Sequence, residues 1–307
     1  MQIFNSLDQV NISEKTAVAL GNFDGIHIGH FEILKAAVDV AKAGELKSVC
    51  YTFSNHPFNF IMGRNEEDDD ALKLICSEVD KIKLIEDMGF DYLVNVPFDE
   101  ATMKIRAHDF FHDIVVDKLN AAVVSIGFNY SYGIRAEGKA DDLIRDAASC
   151  GIEAYVHDAV MYQDKVVSST LIRELIKEGK LELAAELLGR SLSYSGICEH
   201  GKTVGSKNGI PTINLVPGKE RILPPFGVYA ANTIVDGISY KSIVNIGTQP
   251  TFGNNEVRIE SHLFDYSGDA YDKEVIVELL SFIREEKKFD SKEKLYEQIR
   301  KDCEVIR

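Results

Sequence analysis

Thr16-Ala-Val-Ala-Leu-Gly-Asn-Phe-Asp-Gly-Ile-His-Ile-Gly-His30 decides the fold of the first half of the chain. Its first six residues form an apolar run closed by Gly21, the pattern of a parallel strand covered on both faces. A helical pattern follows at once, with Ile33, Leu34, Ala37, Val38 and Ala41 on one face. Gly21, Gly25 and Gly29 let the backbone approach a ligand closely. His27 and His30 fall one helical turn apart at the strand-to-helix junction, where free amides and the helix dipole favour an anion. Two imidazoles there suit charge developing on a nucleotide's phosphates during transfer.

Outward from this stretch the same alternation repeats. The patterns predict strands over 48–53, 92–96, 121–127 and 152–156, and helices over 79–88, 109–119 and 141–150. Such alternation predicts a parallel sheet with helices on both faces, with ligands held at the carboxyl ends of the strands. Residues 169–188 read as helical, interrupted near Gly179 and stopped by Gly189. Beyond them the pattern changes. Stretches 228–235, 241–246, 258–264 and 274–280 are strand-like, separated by turns without helices. This half is expected to be antiparallel, a small barrel or sandwich, closed by an amphipathic helix over 291–301. The boundary is expected at 187/188.

The whole composition agrees. A chain of 307 residues suggests two domains. Hydrophobic residues at 45% and charged residues at 27% exclude a disordered chain. The net charge, 34 − 49 = −15, opposes phosphate backbones but leaves room for small phosphorylated ligands held locally. Cys50, Cys76, Cys150, Cys198 and Cys303 show no C-x-x-C spacing, and are expected to be inert thiols of a reducing compartment. No run approaches a membrane span, and the first residues lack a signal's basic start and apolar core; a cytoplasmic location is expected. The acidic run 66–70 reads as a solvated loop.

Three further stretches carry chemistry in the first half. Asn55 and His56, and later Asn129, follow expected strands and are expected to line one cleft; Tyr130 and Tyr132 either stack on a ring or pack. Ser168-Ser-Thr-Leu-Ile-Arg173 opens a helix, so hydroxyls, amides and Arg173 can converge on phosphate. In the second half, the glycines of Gly201-Lys-Thr-Val-Gly-Ser-Lys-Asn-Gly-Ile-Pro-Thr-Ile-Asn214 suit a flap whose amides face phosphates, and Thr212 and Asn214 suit Mg²⁺. It is not a Walker A loop. Strand alternation puts Arg258, Glu260 and His262 on one face, opposite Ile259 and Leu263. A carboxylate placed there can take a proton from a hydroxyl attacking phosphorus.

Together these stretches resemble the prokaryotic bifunctional riboflavin kinase/FAD synthetase family along nearly the whole chain. Residues 21–30 resemble its G-N-F-D-G-x-H-x-G-H. Thr52-Phe-Ser-Asn-His-Pro57 resembles T-F-x-P-H-P, with Asn55 for Pro. Gly127-Phe-Asn-Tyr-Ser-Tyr-Gly133 resembles G-x-[DN]-F-x-F-G, with Tyr130 and Tyr132 for Phe, and Ser168–Arg173 matches S-S-T-x-I-R. Residues 201–214 resemble G-x-x-x-G-x-x-x-G-x-P-T-A-N, with Ile213 for Ala. Pro225-Phe-Gly-Val-Tyr-Ala230, Asn245-Ile-Gly-Thr-Gln-Pro-Thr-Phe252 and Arg258-Ile-Glu-Ser-His-Leu-Phe-Asp265 match further. Residues 283–290 resemble the approach to the C-terminal helix, without catalytic residues.

The resemblance implies a Rossmann-like nucleotidyltransferase domain with a parallel sheet over 1–187. Over 188–307 it implies a small antiparallel β-barrel riboflavin kinase domain with a terminal helix. It implies phosphorylation of riboflavin to FMN by ATP, then adenylylation of FMN to FAD, with Mg²⁺. It makes Glu260 the kinase base and gives His27, His30 and Arg173 to adenylyl transfer. ATP and phosphate fall to Gly21, Phe23, Asp24, Gly25, Gly29, Ser168, Ser169, Thr170, Gly205, Lys207 and Gly209. The flavins fall to Asn55, His56, Asn129, Tyr130, Tyr132, Gly227 and Tyr229, and the metal to Thr212 and Asn214. No nucleic acid and no membrane are expected, and a monomer or weak homo-oligomer is. The departures at Asn55, Tyr130 and Tyr132 leave one alternative, a chain that is mainly a riboflavin kinase with a weakened adenylyltransferase domain; a flavin-binding regulator is a second, from another functional class. Class I aminoacyl-tRNA synthetases share the H-I-G-H of residues 27–30, but their K-M-S-K-S segment is absent.

Overall fold

The computed structural model describes residues 1–65, 67–199, 212–251, 254–287, 298, 301 and 302, with the side chains of 249–251 and 254–256 left aside. The chain packs as two compact units, Met1–Ser169 and Thr170–Arg307. The second of these takes in most of the two helices before residue 188.

The first unit is built on six parallel strands: β1 (Gln2–Phe4), β2 (Thr16–Leu20), β3 (Lys47–Phe53), β4 (Tyr92–Val96), β5 (Ala121–Gly127) and β6 (Glu153–His157). Their order across the sheet is β1-β4-β3-β2-β5-β6. Strand alternation sends Val18, Leu20, Val49 and Tyr51 to one face and Ala19 and Cys50 to the other, and each face closes on its own hydrophobic core. All five residues of β2 are buried, as its apolar run predicts.

The connection after β2 leads to β3 on one side, while β5 returns to pair with β2 on the other. The crevice at the carboxyl ends of β2 and β5 is therefore the topological switch point, where ligands bind in this architecture. The predicted amphipathic helix is α1 (Ile28–Ala43), with the five expected residues buried. The helix expected over 109–119 is instead a π-helix, Phe110–Lys118, in which the Leu119 amide donates to the Ile114 carbonyl five residues back at 2.8 Å. It still buries Phe110, Phe111, Ile114 and Val115 against the sheet.

In the second unit α2 (Leu181–Leu188) buries Leu181, Ala184, Leu187 and Leu188 and ends at Gly189, whose φ of 72° is the left-handed conformation glycine tolerates best. Six strands follow: β7 (Leu192–Ile197), β8 (Thr212–Leu215), β9 (Gly227–Val235), β10 (Ile238–Thr251), β11 (Asn254–Leu263) and β12 (Glu274–Glu285). All their pairings are antiparallel, in the order β7-β12-β9-β10-β11-β8. A bridge between Glu199 and Asn214 joins the chain beyond β7 to the far edge strand, so the sheet curls toward a barrel. Asp236 and Gly237, both at positive φ, make the tight turn between β9 and β10.

Strands β1, β7 and β8 were not expected from the sequence, and β10 to β12 run further than predicted. Most of the expected terminal helix lies outside the described residues; Gln298 and Asp302 are seen, and the Asp302 carboxylate accepts from Gln298 at 2.8 Å and from Arg284 at 2.7 Å.

Candidate functional site

In the first unit the loop after β2 turns through Phe23, Gly25 and Ile26, all at positive φ, before α1 begins. A side chain at Gly25 would meet Ile75, and one at Gly21 would meet the Phe23 ring at 2.7 Å. His27 caps α1: its Nδ1 accepts the His30 amide at 3.3 Å. The two imidazoles stack with ring centres 3.7 Å apart, and the Phe23 ring meets His30 edge-on at 5.4 Å. Gly29 permits this, since its missing Cβ leaves room for the His27 ring 3.2 Å away. The expected pair of histidines is thus assembled at a helix start. Asp24 is buried and its carboxylate accepts the Ile75 amide at 3.1 Å. Its backbone carbonyl accepts the Ser169 hydroxyl at 2.9 Å. Thr170 is exposed, and Arg173 is 9% exposed.

His30 and Asn129, together with Gly21 and Phe23, line a cavity of about 440 Å³ at the switch point. Its wall carries seven aromatic rings: Phe23, Tyr51, Phe53, Phe98, Phe110, Tyr130 and Tyr132. Such a lining suits a flat aromatic ligand. Tyr130 and Tyr132 stack at 5.7 Å, and Tyr132 is largely consumed in packing, its hydroxyl 3.5 Å from Asp146. The Tyr51 hydroxyl is buried with no hydrogen-bond partner among the described residues. Burial pushes all three phenols well above their usual range, so they stay neutral.

Asn55, where the resembled family has proline, spends its side chain on backbone. Its Nδ2 donates to the Phe98 carbonyl at 3.0 Å and its Oδ1 accepts the Phe98 amide at 2.7 Å. This holds a ring of the cavity wall, which meets Phe53 edge-on at 5.2 Å. His56 caps the short helix Pro57–Ile61 through its Nδ1, which accepts the Phe58 amide at 3.2 Å. Neither role was legible from the motif alone.

In the second unit the strand ladder arranges the site. Thr212 stands opposite His262, and Asn214 opposite Glu260, which in turn faces Asn245 of β10. Ile259, Ser261 and Leu263 are buried on the other face, as the alternation predicts. Arg258 pairs with Glu199 at 3.2 Å. The Thr212 hydroxyl lies 3.2 Å from the His262 Nδ1, and burial lowers the His262 pKa to about 4, so the ring is neutral at physiological pH. Thr212 and Asn214, two residues apart on β8, carry hydroxyl and amide oxygens of the hard kind that suits Mg²⁺ bound together with a nucleotide's phosphates.

Tyr229 is fully buried, its ring against Phe282 and its hydroxyl donating to the Pro225 carbonyl, so this side chain belongs to the core. Gly227 is required by close approach: a Cβ there would stand 2.6 Å from the Arg284 carbonyl. Gly205, Lys207 and Gly209 lie outside the described residues. Glu286 was not singled out by the sequence, yet its carboxylate accepts from Asn245, the cross-strand neighbour of Glu260, at 3.3 Å.

Known proteins resemble both halves. A family model described as FAD synthetase matches residues 9–171, and one described as riboflavin kinase matches residues 188–307. A bifunctional riboflavin kinase/FMN adenylyltransferase of Bacillus subtilis is 35% identical, covering 94% of this chain and 90% of its own. One from Buchnera aphidicola of Schizaphis graminum is 32% identical, covering 96% and 94%. A Streptococcus pneumoniae crystal structure titled as a macrolide-efflux protein shares the fold over 99% of this chain and 97% of its own, with a TM-score of 0.87 and 29% identity. Among the described residues of this chain no helix is long and apolar enough to cross a membrane. With both family models matched in sequence order and relatives aligned nearly end to end, the chain belongs to the bifunctional riboflavin kinase/FMN adenylyltransferase family.

Proposed function

We propose that this chain makes FMN from riboflavin and ATP, and FAD from FMN and a second ATP, with the roles of its residues as follows. In the first reaction the riboflavin 5′-hydroxyl attacks the ATP γ-phosphorus, Glu260 accepts the hydroxyl proton, and ADP leaves. Thr212 and Asn214 would hold Mg²⁺, which would supply charge neutralisation at the phosphates. In the second, the FMN phosphate attacks the ATP α-phosphorus and pyrophosphate leaves. His27 and His30, with the Ser168–Arg173 segment, stabilise the phosphates, and no covalent enzyme intermediate is needed. The flavin ring occupies the aromatic cavity, with Asn55 bracing its Phe98 wall. Both family models are matched, which favours two activities over a kinase alone or a regulator.

The observation that carries this reading is the stacked His27–His30 pair at the start of α1, with His30 also lining a cavity walled by aromatic rings. His30 thus belongs both to the histidine pair and to the cavity wall. Incubation with riboflavin and Mg²⁺–ATP, with the three flavins separated by chromatography, should yield FMN and then FAD. Supplied FMN that never becomes FAD would overturn the second activity.

The functional boundary lies at 187/188, with α2 serving as packing for the kinase strands. A fragment from residue 170 should phosphorylate riboflavin and melt cooperatively. One from 188 loses the buried Leu181 and Ala184 and should melt lower. The active form is a cytoplasmic monomer or weak homo-oligomer that binds no nucleic acid, in keeping with a net charge of −15. Size-exclusion chromatography tests the assembly state.

A further inference from the structure

Among the residues lining the aromatic cavity there is one formal cation, Arg135, and no carboxylate. Arg135 is exposed, and its guanidinium makes no hydrogen bond or ion pair among the described residues. The acidic residue beside it in sequence does not neutralise it. Glu137 is already committed, accepting from the Arg106 guanidinium at 2.7 Å and from the Ala107 amide at 2.9 Å.

The backbone that presents Arg135 is unusual. Arg135 and Ala136 follow each other at φ of 53° and 55°, left-handed conformations that cost non-glycine residues roughly 1–2 kcal/mol each. The turn is held from outside. The Ile134 amide donates to the Ile105 carbonyl at 2.7 Å, and Gly133, at φ of 74°, lies so close to Ala107 that a Cβ would stand 2.6 Å from its amide nitrogen. Strain that neighbouring structure enforces in this way persists chiefly at functional positions.

A cavity of aromatic rings with one uncommitted guanidinium is complementary to a flat ring that carries an anionic group. We propose, resting on the reading of this cavity as the flavin site of adenylyl transfer, that Arg135 binds the 5′-phosphate of FMN and makes this unit select the phosphorylated flavin over the bare ring. The planar fork of arginine matches two phosphate oxygens at once, which a lysine ammonium does not. Arg135 is thus a substrate-positioning and specificity residue, while the histidines act on the reacting phosphates.

The test uses the full chain and FAD formation from FMN and Mg²⁺–ATP. Arg135→Ala should raise the KM for FMN by about 10- to 100-fold, the usual worth of a charge-assisted contact, with kcat and the KM for ATP within threefold. Arg135→Lys should recover part of the loss. Lumiflavin, which has the ring without the ribityl phosphate, should compete equally well against parent and Arg135→Ala. Added salt should raise the parent's KM for FMN and leave the variant's flat.

An unchanged KM, or a lumiflavin constant that rises in step with it, overturns the proposal. Ser131→Trp, which fills the same cavity, should raise the FMN and lumiflavin constants together. If it moves neither, the ring is bound elsewhere and the cavity reading itself falls. Thermal melts of each variant show that the chain is folded.

Discussion

In the unit Met1–Ser169 His27 and His30, the side chains proposed to act on phosphate there, stand where a strand gives way to a helix, and loops far apart in sequence line the cavity beside them. In the unit Thr170–Arg307 those proposed for the kinase, Thr212, Asn214 and Glu260, stand on neighbouring antiparallel strands, fixed by ladder register. The first arrangement gives a roomy cavity, but its geometry depends on staples such as Asn55 on Phe98 and Ser169 on Asp24. The second needs no staples for its main row. Asn214, Glu260 and Asn245 are brought abreast by the same backbone bonds that make the sheet. A chain that carries two phosphate transfers therefore exposes them to different kinds of damage. Loop changes should reach the adenylyl transfer, and strand changes should reach the kinase.

The sharpest way to break this comparison is to change both histidines. His27→Ala/His30→Ala removes two charge-stabilising groups, each typically worth about 10²–10³-fold, so FAD formation should fall by at least ~10³-fold. FMN formation from riboflavin should persist. Loss of both products in a folded variant would mean that the sites are not independent. Glu260→Gln is the mirror case. Riboflavin phosphorylation should drop by about 10²–10⁴-fold while supplied FMN is still converted to FAD. Near-parental phosphorylation would return Glu260 to a structural role.

A third measurement sharpens the contrast through pH. His262 stays neutral in the folded state down to about pH 4, while the unfolded chain takes up its proton near pH 6.5. The contribution of the neutral ring is therefore complete above pH 6.5 and is lost as the pH falls toward 4. Between pH 7 and 5 this amounts to about 2 kcal/mol. Denaturant unfolding of the parent and of His262→Gln at both pH values should show a smaller loss in the variant. Equal losses would assign the acid sensitivity elsewhere.

Asn55→Ala removes both bonds to Phe98 and should cost about 1–2 kcal/mol, with a raised KM for FMN and an unaltered kinase. An unchanged KM would show that the Phe98 wall needs no bracing. The smallest effect is expected at Tyr51, whose hydroxyl lacks a partner. Tyr51→Phe should leave stability unchanged or raise it by up to about 1 kcal/mol, and a clear loss would reveal a partner that the described residues do not include.

What the sequence discloses follows the range of the interactions. The run Thr16–Leu20 and the apolar face of α1 were legible because their periodicity is local and each residue answers to burial alone. Glu260 on a face opposite Ile259 was legible for the same reason. Strand β1 has three residues, two of them exposed, and β8 has four within a stretch already rich in turn signals, so neither leaves a readable period. Tyr229 looked like a ligand contact because a motif says nothing about which way a ring faces; it packs inward. The clamp of Asn55 on Phe98 joins residues 43 apart, and only the folded sheet brings those loops together. Glu286 escaped for the same reason, since its link to Asn245 spans 41 residues.

The Asn55 clamp has a mechanical consequence. A proline at that place would stiffen only its own segment, by fixing one backbone angle. The asparagine ties two segments together, so the loop after β3 and the loop after β4 separate only if both bonds to Phe98 break. The Phe98 amide hydrogen is sealed by that same clamp, at 2.7 Å from the Asn55 Oδ1. Its rate of exchange with deuterated solvent is accordingly a built-in gauge of how often that clamp breaks.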